Sequence, residues 1–400
     1  MGPELHLNTS ELQPDGGTSR PPSRGLDRRP RRVLYFNSWS SAHGGSATSL
    51  IDLVCALDPA RYHPIVLCPE AGELPDRLRG AGIDVRVHAL SVLNREHAVR
   101  FIAEIPAYMR LLWRDGIDLV HGNTAATRRS IVQAAAFMRV PYVQHVRNAP
   151  LQLHDRYGYR LARRIITNSQ SVAEVFKADH ALAKKTVTIY NAVDLAHYDD
   201  DTDTRHSEVA PPGTPIVGFV GHIVPDKGIT TLLDAMPQVL QAVPNARFVL
   251  VGRAPDGYES FEQECRDRVA AMGIADRVTW TGYRHDVPAW MRTFSVFAFP
   301  TRREAFGKVV IEAMAARCPV VASRVGGVPE IIADTRVGAL VPVDDAAALA
   351  RGVITYLQDA VGAAHVGEAG AAHVRRLFTL PAMAASLQDL YDEVLDERRR

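Results

Sequence analysis

Short apolar runs alternate with helix-length amphipathic stretches twice along this chain, and that alternation is the strongest constraint on its fold. In the first series VLYFNS (33–38), HPIVLC (63–68), IDVRVHA (83–89), DLVHG (118–122), VPYVQHV (140–146) and RIITNS (164–169) read as short buried strands. Stretches such as SATSLIDLVCALD and IAEIPAYMRLLW separate them. Buried strands joined by helices predict parallel sheets with crossover connections, a Rossmann-like plan. The second series runs from PIVGFVGH (215–222) through ARFVLVG, RVTWTG, SVFAFP, CPVVAS and GALVPV, with helices expected from about 228, 259, 307, 345 and 366. Between the two lies DLAHYDDDTDTRHSEVAPPGTP (194–215), polar, acidic and proline-rich, which reads as a linker. The expected organisation is an α/β chain with one Rossmann-like domain over 32–195, a linker over 196–214 and a second such domain over 215–380. The last segment, 381–400, holds an amphipathic helix over roughly 381–397.

Composition agrees with an enzyme of two domains. Four hundred residues exceed one ordinary core. A formal net charge of +1 gives no reason to expect nucleic acid as a partner. No apolar run approaches the roughly 18 residues of a membrane span, and the N-terminus lacks a signal peptide's apolar core. Cys55, Cys68, Cys265 and Cys318 lack C-x-x-C spacing and read as buried thiols of a reducing, cytoplasmic compartment. The fifteen histidines include no H-E-x-x-H pair, so no metal is expected. Residues 1–31 are rich in Pro, Gly, Ser and Arg and read as a disordered basic tail.

The stretch from Arg302 to Ile332, RREAFGKVVIEAMAARCPVVASRVGGVPEII, carries the most chemistry. Glu304 and Glu312 stand with seven residues between them, around a glycine. A glutamate ending a loop and another in the following helix can both face a ligand at that helix's N-terminus. The free N–H groups there favour an anion such as a diphosphate, and carboxylates accept hydrogen bonds from sugar and ribose hydroxyls. The combination reads as a sugar-nucleotide site. The alternative is an amphipathic helix with two solvated glutamates.

This segment resembles the donor-site signature of retaining GT-B glycosyltransferases of family 4, which includes sucrose and mannosyl transferases. The family writes E-G-F-G, E-A-M-A, G-x-P-V-V and G-G-x-P-E; the chain writes Glu304-Ala305-Phe306-Gly307, Glu312-Ala313-Met314-Ala315, Pro319-Val320-Val321 and Gly326-Gly327-Val328-Pro329-Glu330. The resemblance implies the GT-B fold, two Rossmann-like domains facing a cleft, with the last helix returning to the first domain. It also implies that Glu304 meets the transferred sugar, that Glu312 holds the ribose, and that the turn of Phe306, Gly307, Lys308 and Val309 meets the donor.

The remaining candidates follow strand ends, where such a cleft requires them. His43-Gly44-Gly45-Ser46 resembles the family's first glycine loop, placing Gly45 by the donor and His43 by the acceptor; a plain turn is the alternative. Gly221 to Gly228 resembles the phosphate clamp G-R-x-x-x-x-K-G, with Lys227 in place and His222 where arginine is usual. Neutral histidine supplies one donor and little charge, so this departure bears on donor affinity and its pH dependence. His145, ending VPYVQHV, resembles the family's histidine beside the reaction centre; His121 competes with it. Arg147 follows as an acceptor or phosphate contact, and Asn148 as an acceptor contact. Arg284, in a loop that opens a helix, falls where family members place the base. Asn191-Ala192-Val193-Asp194 resembles a structural N-G-V-D turn.

The chemistry requires a nucleoside diphosphate to leave the anomeric carbon, with charge building on phosphate oxygen. Lys227, the helix start near 307 and the glycine loop can meet that charge without a metal. Asp201-Thr202-Asp203 has the D-x-D form of metal-dependent enzymes but lies in the acidic linker. The expected activity is a retaining, metal-independent transfer from a UDP- or GDP-linked sugar, a co-substrate; no cofactor is expected. Two alternatives share the fold: a nucleotide-sugar epimerase and a catalytically impaired sugar-nucleotide-binding protein. Saccharide, lipid-linked and small-metabolite acceptors all stay open. The stretch 95–116 mixes apolar, aromatic and basic residues, which suits either a peripheral membrane contact or a crossover helix with a basic outer face.

Overall fold

The computed structural model describes residues 29–37, 45–88, 98–123, 129–148, 156–199 and 205–397. His43, most of the N-terminal tail and the Asp201-Thr202-Asp203 run lie outside the described residues.

Two parallel sheets form, each from one of the βα series. The first contains β1 (Arg31–Phe36), β2 (Tyr62–Cys68), β3 (Asp84–Val87), β4 (Leu119–Gly122), β5 (Tyr142–Val146), β6 (Arg164–Thr167) and β7 (Thr186–Thr188), in the order 3-2-1-4-5-6-7. The second contains β8 (Ile216–Val220), β9 (Arg247–Val251), β10 (Val278–Gly282), β11 (Val296–Phe299), β12 (Val320–Ser323) and β13 (Ala339–Val341), in the order 10-9-8-11-12-13. β1, β4, β5, β11 and β12 are buried almost throughout, which is why they read as unbroken apolar runs. The order reverses between β1 and β4 and again between β8 and β11. Such switch points leave a crevice outside the carboxyl ends of the strands, where ligands bind.

Four details differ from the sequence reading. Arg31 and Arg32 belong to β1, paired with Tyr62 and His63, because Asp118 accepts the Arg32 N–H at 2.9 Å. β7 was not expected, since a three-residue strand carries too little pattern to recognise. The penultimate helix begins at Ala360, with the Asp359 side chain accepting from the Gly362 N–H, rather than near 366. Cys55 is exposed, whereas Cys68, Cys265 and Cys318 are buried.

Parts of the acidic segment between the sheets are tied down. Tyr198 is buried in the second core, Asp199 pairs with Arg375 at 2.6 Å, and Arg205 pairs with Asp286 at 2.8 Å. The last helix, Leu380–Glu397, leaves the second sheet and packs on the first. Met383, Leu387, Leu390, Tyr391, Val394 and Leu395 join one cluster with Val33, Tyr35, Tyr62 and Val143. Polar contacts set its register: Tyr62 Oη donates to Asp392 at 2.5 Å, and the Asp58 N–H to Gln388 at 3.0 Å.

Leu387 is fully buried in that cluster. Leu387→Ala is expected to cost about 2–5 kcal/mol, read as a lower urea midpoint with an unchanged slope.

Candidate active site

Glu304 sits in the loop that leaves β11, and two glycines hold that loop. Thr301 Oγ1 lies 3.1 Å from the carbonyl of Asp226, and the Arg302 N–H donates to the same carbonyl at 2.8 Å. The loop after β11 is thereby joined to the loop after β8. Gly228, at φ 68°, lies so close to Pro300 that a Cβ would stand 1.8 Å from its carbonyl oxygen. Gly326, at φ 55°, backs onto Glu304 itself, where a Cβ would stand 1.6 Å from the carbonyl oxygen. Only glycine suits either position. Lys227 Nζ consequently lies 2.8 Å from Glu304 Oε2, with its ammonium 5.4 Å from the centre of the Phe299 ring.

Beyond the loop, Gly307 at φ 104° opens helix Lys308–Ala315, which has no side-chain cap and no acid in its first turn. Its N-terminus therefore keeps the partial positive charge that favours an anion. Phe306 turns its ring into the core against Tyr190 and Phe378, so any donor contact falls to its main chain. Val309, in the first turn, is half-buried.

Lys308 and Glu312, one turn apart, share a helix face, and Lys308 reaches across to the first sheet's side. Its ammonium lies 2.6 Å from Asp52 Oδ2, in helix Gly45–Cys55, and 3.7 Å from Glu312 Oε1. Burial raises the pKa of Glu312; Lys308 opposes that shift and Asp52 adds to it. Two more contacts join the sides. Glu330 accepts from the N–H groups of Gln170 and Ser171 at 2.7 and 2.8 Å, and Ser169 Oγ donates to the Ala305 carbonyl at 2.6 Å.

A buried polar cluster stands at the carboxyl ends of β4 and β5. Arg147 donates to Asn123 at 3.1 Å and to Asn191 at 2.7 Å, and its third nitrogen lies 3.4 Å from His145 Nδ1. His121 Nδ1 lies 2.6 Å from the Tyr391 hydroxyl, which in turn lies 2.7 Å from that of Tyr35. Burial, aided by the positive charge of Arg147, pushes both histidines well below the usual imidazole range and keeps them neutral. The Nε2 atoms of His121 and His145 are buried with no hydrogen-bond partner among the described residues. Buried polar atoms of this kind ordinarily have one.

The structure thus brings Lys227 to Glu304, Lys308 to Glu312, and His145 to Arg147. Asp52 acts electrostatically on both Arg147 and Glu312, which ties the last two groups together. Gly45 opens its helix with free space where a Cβ would stand. His222 is exposed after β8, and Asn148 is exposed after β5. Arg284 is held by both oxygens of Asp286, at 2.9 and 2.8 Å, and lies over the Trp290 ring. It is a member of that ion pair rather than of the Lys227 or Lys308 groups. Asp52 and Tyr391 were not anticipated. Asp52 shares a helix face with Gly45 and Ser49 by spacing, a faint signal; Tyr391 gave none, since its partners lie more than 250 positions away. Among the described residues no group of three His, Cys, Asp or Glu side chains is placed to hold a metal ion.

Comparison with known proteins bears on this geometry. Residues 43–197 match the model described as Glycosyltransferase Family 4, and residues 214–359 match Glycosyl transferases group 1. The chain belongs to glycosyltransferase family 4. A D-inositol 3-phosphate glycosyltransferase of Corynebacterium efficiens is 30% identical over 294 residues, 71% of this chain and 67% of that one. The lipopolysaccharide core biosynthesis mannosyltransferase of Rhizobium leguminosarum bv. viciae is 29% identical over 271 residues, 64% of this chain and 75% of that one. The Anabaena protein HepE, solved with UDP and glucose, superposes with a TM-score of 0.78 at 23% identity, covering 90% of this chain and 99% of that one. That likeness establishes the fold: the two sheets are the two halves of GT-B architecture. As a family 4 member the chain is a retaining glycosyltransferase that draws on a nucleotide sugar.

Gly326→Ala places a methyl group against the Glu304 carbonyl. It is expected to lower kcat at least tenfold, the effect of a displacement of about 1 Å at a reacting group. Steady-state kinetics beside an unchanged far-UV spectrum would check it.

Proposed function

We propose that this family 4 enzyme transfers a hexose from a UDP- or GDP-linked donor to a hydroxyl of a saccharide, lipid-linked or small-metabolite acceptor. The observation that carries the reading is the Lys227–Glu304 pair at 2.8 Å, beside the uncapped start of helix Lys308–Ala315 and one face from Glu312. The diphosphate binds at that helix start. Glu312 accepts from the ribose hydroxyls, and Glu304 accepts from the transferred sugar. Relatives agree in kind: HepE was solved with UDP and glucose, and the named curated relatives act on lipopolysaccharide core and on an inositol phosphate.

In the reaction the bond from anomeric carbon to diphosphate breaks as the acceptor oxygen bonds to that carbon. The acceptor's proton leaves with the departing phosphate or to solvent. Negative charge grows on the phosphate oxygen, where Lys227 and the helix N–H groups stand preorganised. Ground-state Lys227 is balanced by Glu304, so its ammonium is shared between carboxylate and phosphate when donor is bound. Neutral His145 and the Arg147 cluster line the other wall, where the acceptor approaches. No metal is required by this account. Incubation with a panel of nucleotide sugars, with and without acceptors, tests the reading through nucleotide release; an absence of release from every donor and acceptor would overturn it.

The paired glutamates should fail differently. Glu312→Ala removes a charge-assisted hydrogen bond worth roughly 1.5–3 kcal/mol and should weaken nucleotide diphosphate binding about ten- to hundredfold. Glu304→Ala releases Lys227 from its counter-charge, so nucleotide affinity should hold or rise while turnover falls. Calorimetry on both variants separates the roles; unchanged affinity in Glu312→Ala removes the ribose assignment.

Turnover should also persist in EDTA, while Lys227→Ala lowers it by about a hundredfold or more, as loss of a transition-state charge partner does. Activity that disappears on chelation and returns with magnesium or manganese would show that the leaving group needs a metal.

A further inference from the structure

Helix Ala98–Arg114 was expected to be either a membrane contact or a crossover helix with a basic outer face. It packs on the first sheet through Phe101, Tyr108 and Leu112, as a crossover helix does. Its outer face is not simply basic. Val99 is 84% exposed, Ile102 65% and Trp113 75%, and Phe137, ending the neighbouring helix Ser130–Phe137, is 67% exposed. Solvent-facing positions of a crossover helix have no packing reason to carry residues of this size, and these four stand on two neighbouring helices.

The arrangement is ordered. At 3.6 residues per turn, Val99, Ile102, Pro106 and Trp113 fall within an arc of about 60°. Arg110, Arg114 and Arg100 follow along one side of that arc, all exposed. The Ser130 hydroxyl donates to Glu104 at 2.8 Å, which fixes how the two helices lie side by side. Both are crossovers between parallel strands and so run the same way, which puts Trp113 and Phe137 at the same end of the pair. Glu104 is the one carboxylate in the two helices, and that bond turns it inward, its side chain only 11% exposed. It pairs with Arg100 at 3.2 Å, while Arg114 pairs with the buried Asp115 at 2.8 Å, both arginines keeping exposed side chains. The face is therefore apolar and cationic together.

We propose that this face lies on an anionic lipid bilayer, with Val99, Ile102, Trp113 and Phe137 entering the interface and Arg100, Arg110 and Arg114 meeting lipid phosphates. A helix in a bilayer surface needs an apolar arc bordered by cations, and an aromatic ring at the headgroup level adds to its anchoring. Charge decides against a second copy of the chain as the occupant. Two copies meeting through this face would set arginines against arginines, with no outward carboxylate from either helix to pair them. No helix among the described residues is long and apolar enough to cross a membrane, so the contact is made on the surface. The inference stands apart from the donor-site reading and survives its failure.

The test is sedimentation of the full chain with vesicles of phosphatidylcholine alone and of phosphatidylcholine mixed equally with phosphatidylglycerol. The wild type should bind the mixed vesicles, bind phosphatidylcholine weakly, and release as salt is raised. Ile102→Ser with Trp113→Ser, and separately Arg110→Glu, should each lower partitioning about tenfold or more while nucleotide affinity and the circular dichroism spectrum stay unchanged. Three results overturn the proposal. A wild type that stays in the supernatant with the mixed vesicles at low salt has no affinity for the bilayer. Equal binding by the variants would assign lipid affinity to the basic N-terminal run. A wild-type dimer that Trp113→Ser dissociates, without vesicle binding, would assign the face to a second copy.

Discussion

The Glu304 loop after β11 is held in place by backbone packed directly against backbone, and the geometry around Glu304 depends on that contact. Glu304 is confined from behind by Gly326 and from the side by Gly228, which presses on Pro300, with a Cβ excluded at both positions. Close approach of main chain to main chain leaves little room for the loop to shift, as interiors packed at crystal density do not yield smoothly. The glycines of the signature are thus explained without reference to ligand: they let three loops, after β8, β11 and β12, converge. Lys227 and Glu304 meet because the first two of those loops share hydrogen bonds at Asp226.

A second constraint joins the two halves. The Lys308–Asp52 pair is largely buried, and separating such a pair leaves an uncompensated charge on each side. Glu330 caps the start of helix Gln170–Ala173 from the opposite half through two backbone N–H groups, a charge-assisted contact at a helix N-terminus. These bonds hold the halves together beside Glu312 and the start of helix Lys308–Ala315. Any opening motion has to exchange them for water.

Much of this was legible beforehand, for reasons that differ from place to place. Strands such as VFAF and VVAS announce themselves because both faces are buried, and the family signature could be read because its residues are contiguous. β7 escaped notice because three residues hold no periodicity, and Cys55 was misjudged because an apolar neighbourhood in sequence does not say which side of a helix faces water. Asp52 and Tyr391 were missed for a deeper reason. Their roles arise only when residues distant in sequence meet, Asp52 with Lys308 and Tyr391 with His121 and Tyr35. Arg284 shows the converse: a residue placed by resemblance near the base is engaged bidentately by Asp286, and a donor contact there would have to share that guanidinium.

The last helix brings Tyr391 into the buried polar cluster at the carboxyl ends of β4 and β5. Tyr391, fully buried, leaves the cluster of Leu387, Leu390 and Val394 to place its hydroxyl between Tyr35 and His121. Its hydroxyl has one proton to give, and Tyr35 another, so His121 Nδ1 and the two oxygens form a chain in which one donor assignment sets the next. That chain ends at a histidine whose ring packs 5.5 Å from that of His145, beside Arg147. Docking of the helix and orientation of the neutral histidines are therefore one structural event. Through Tyr391, the packing of this helix on the first sheet fixes the orientation of the His121 ring.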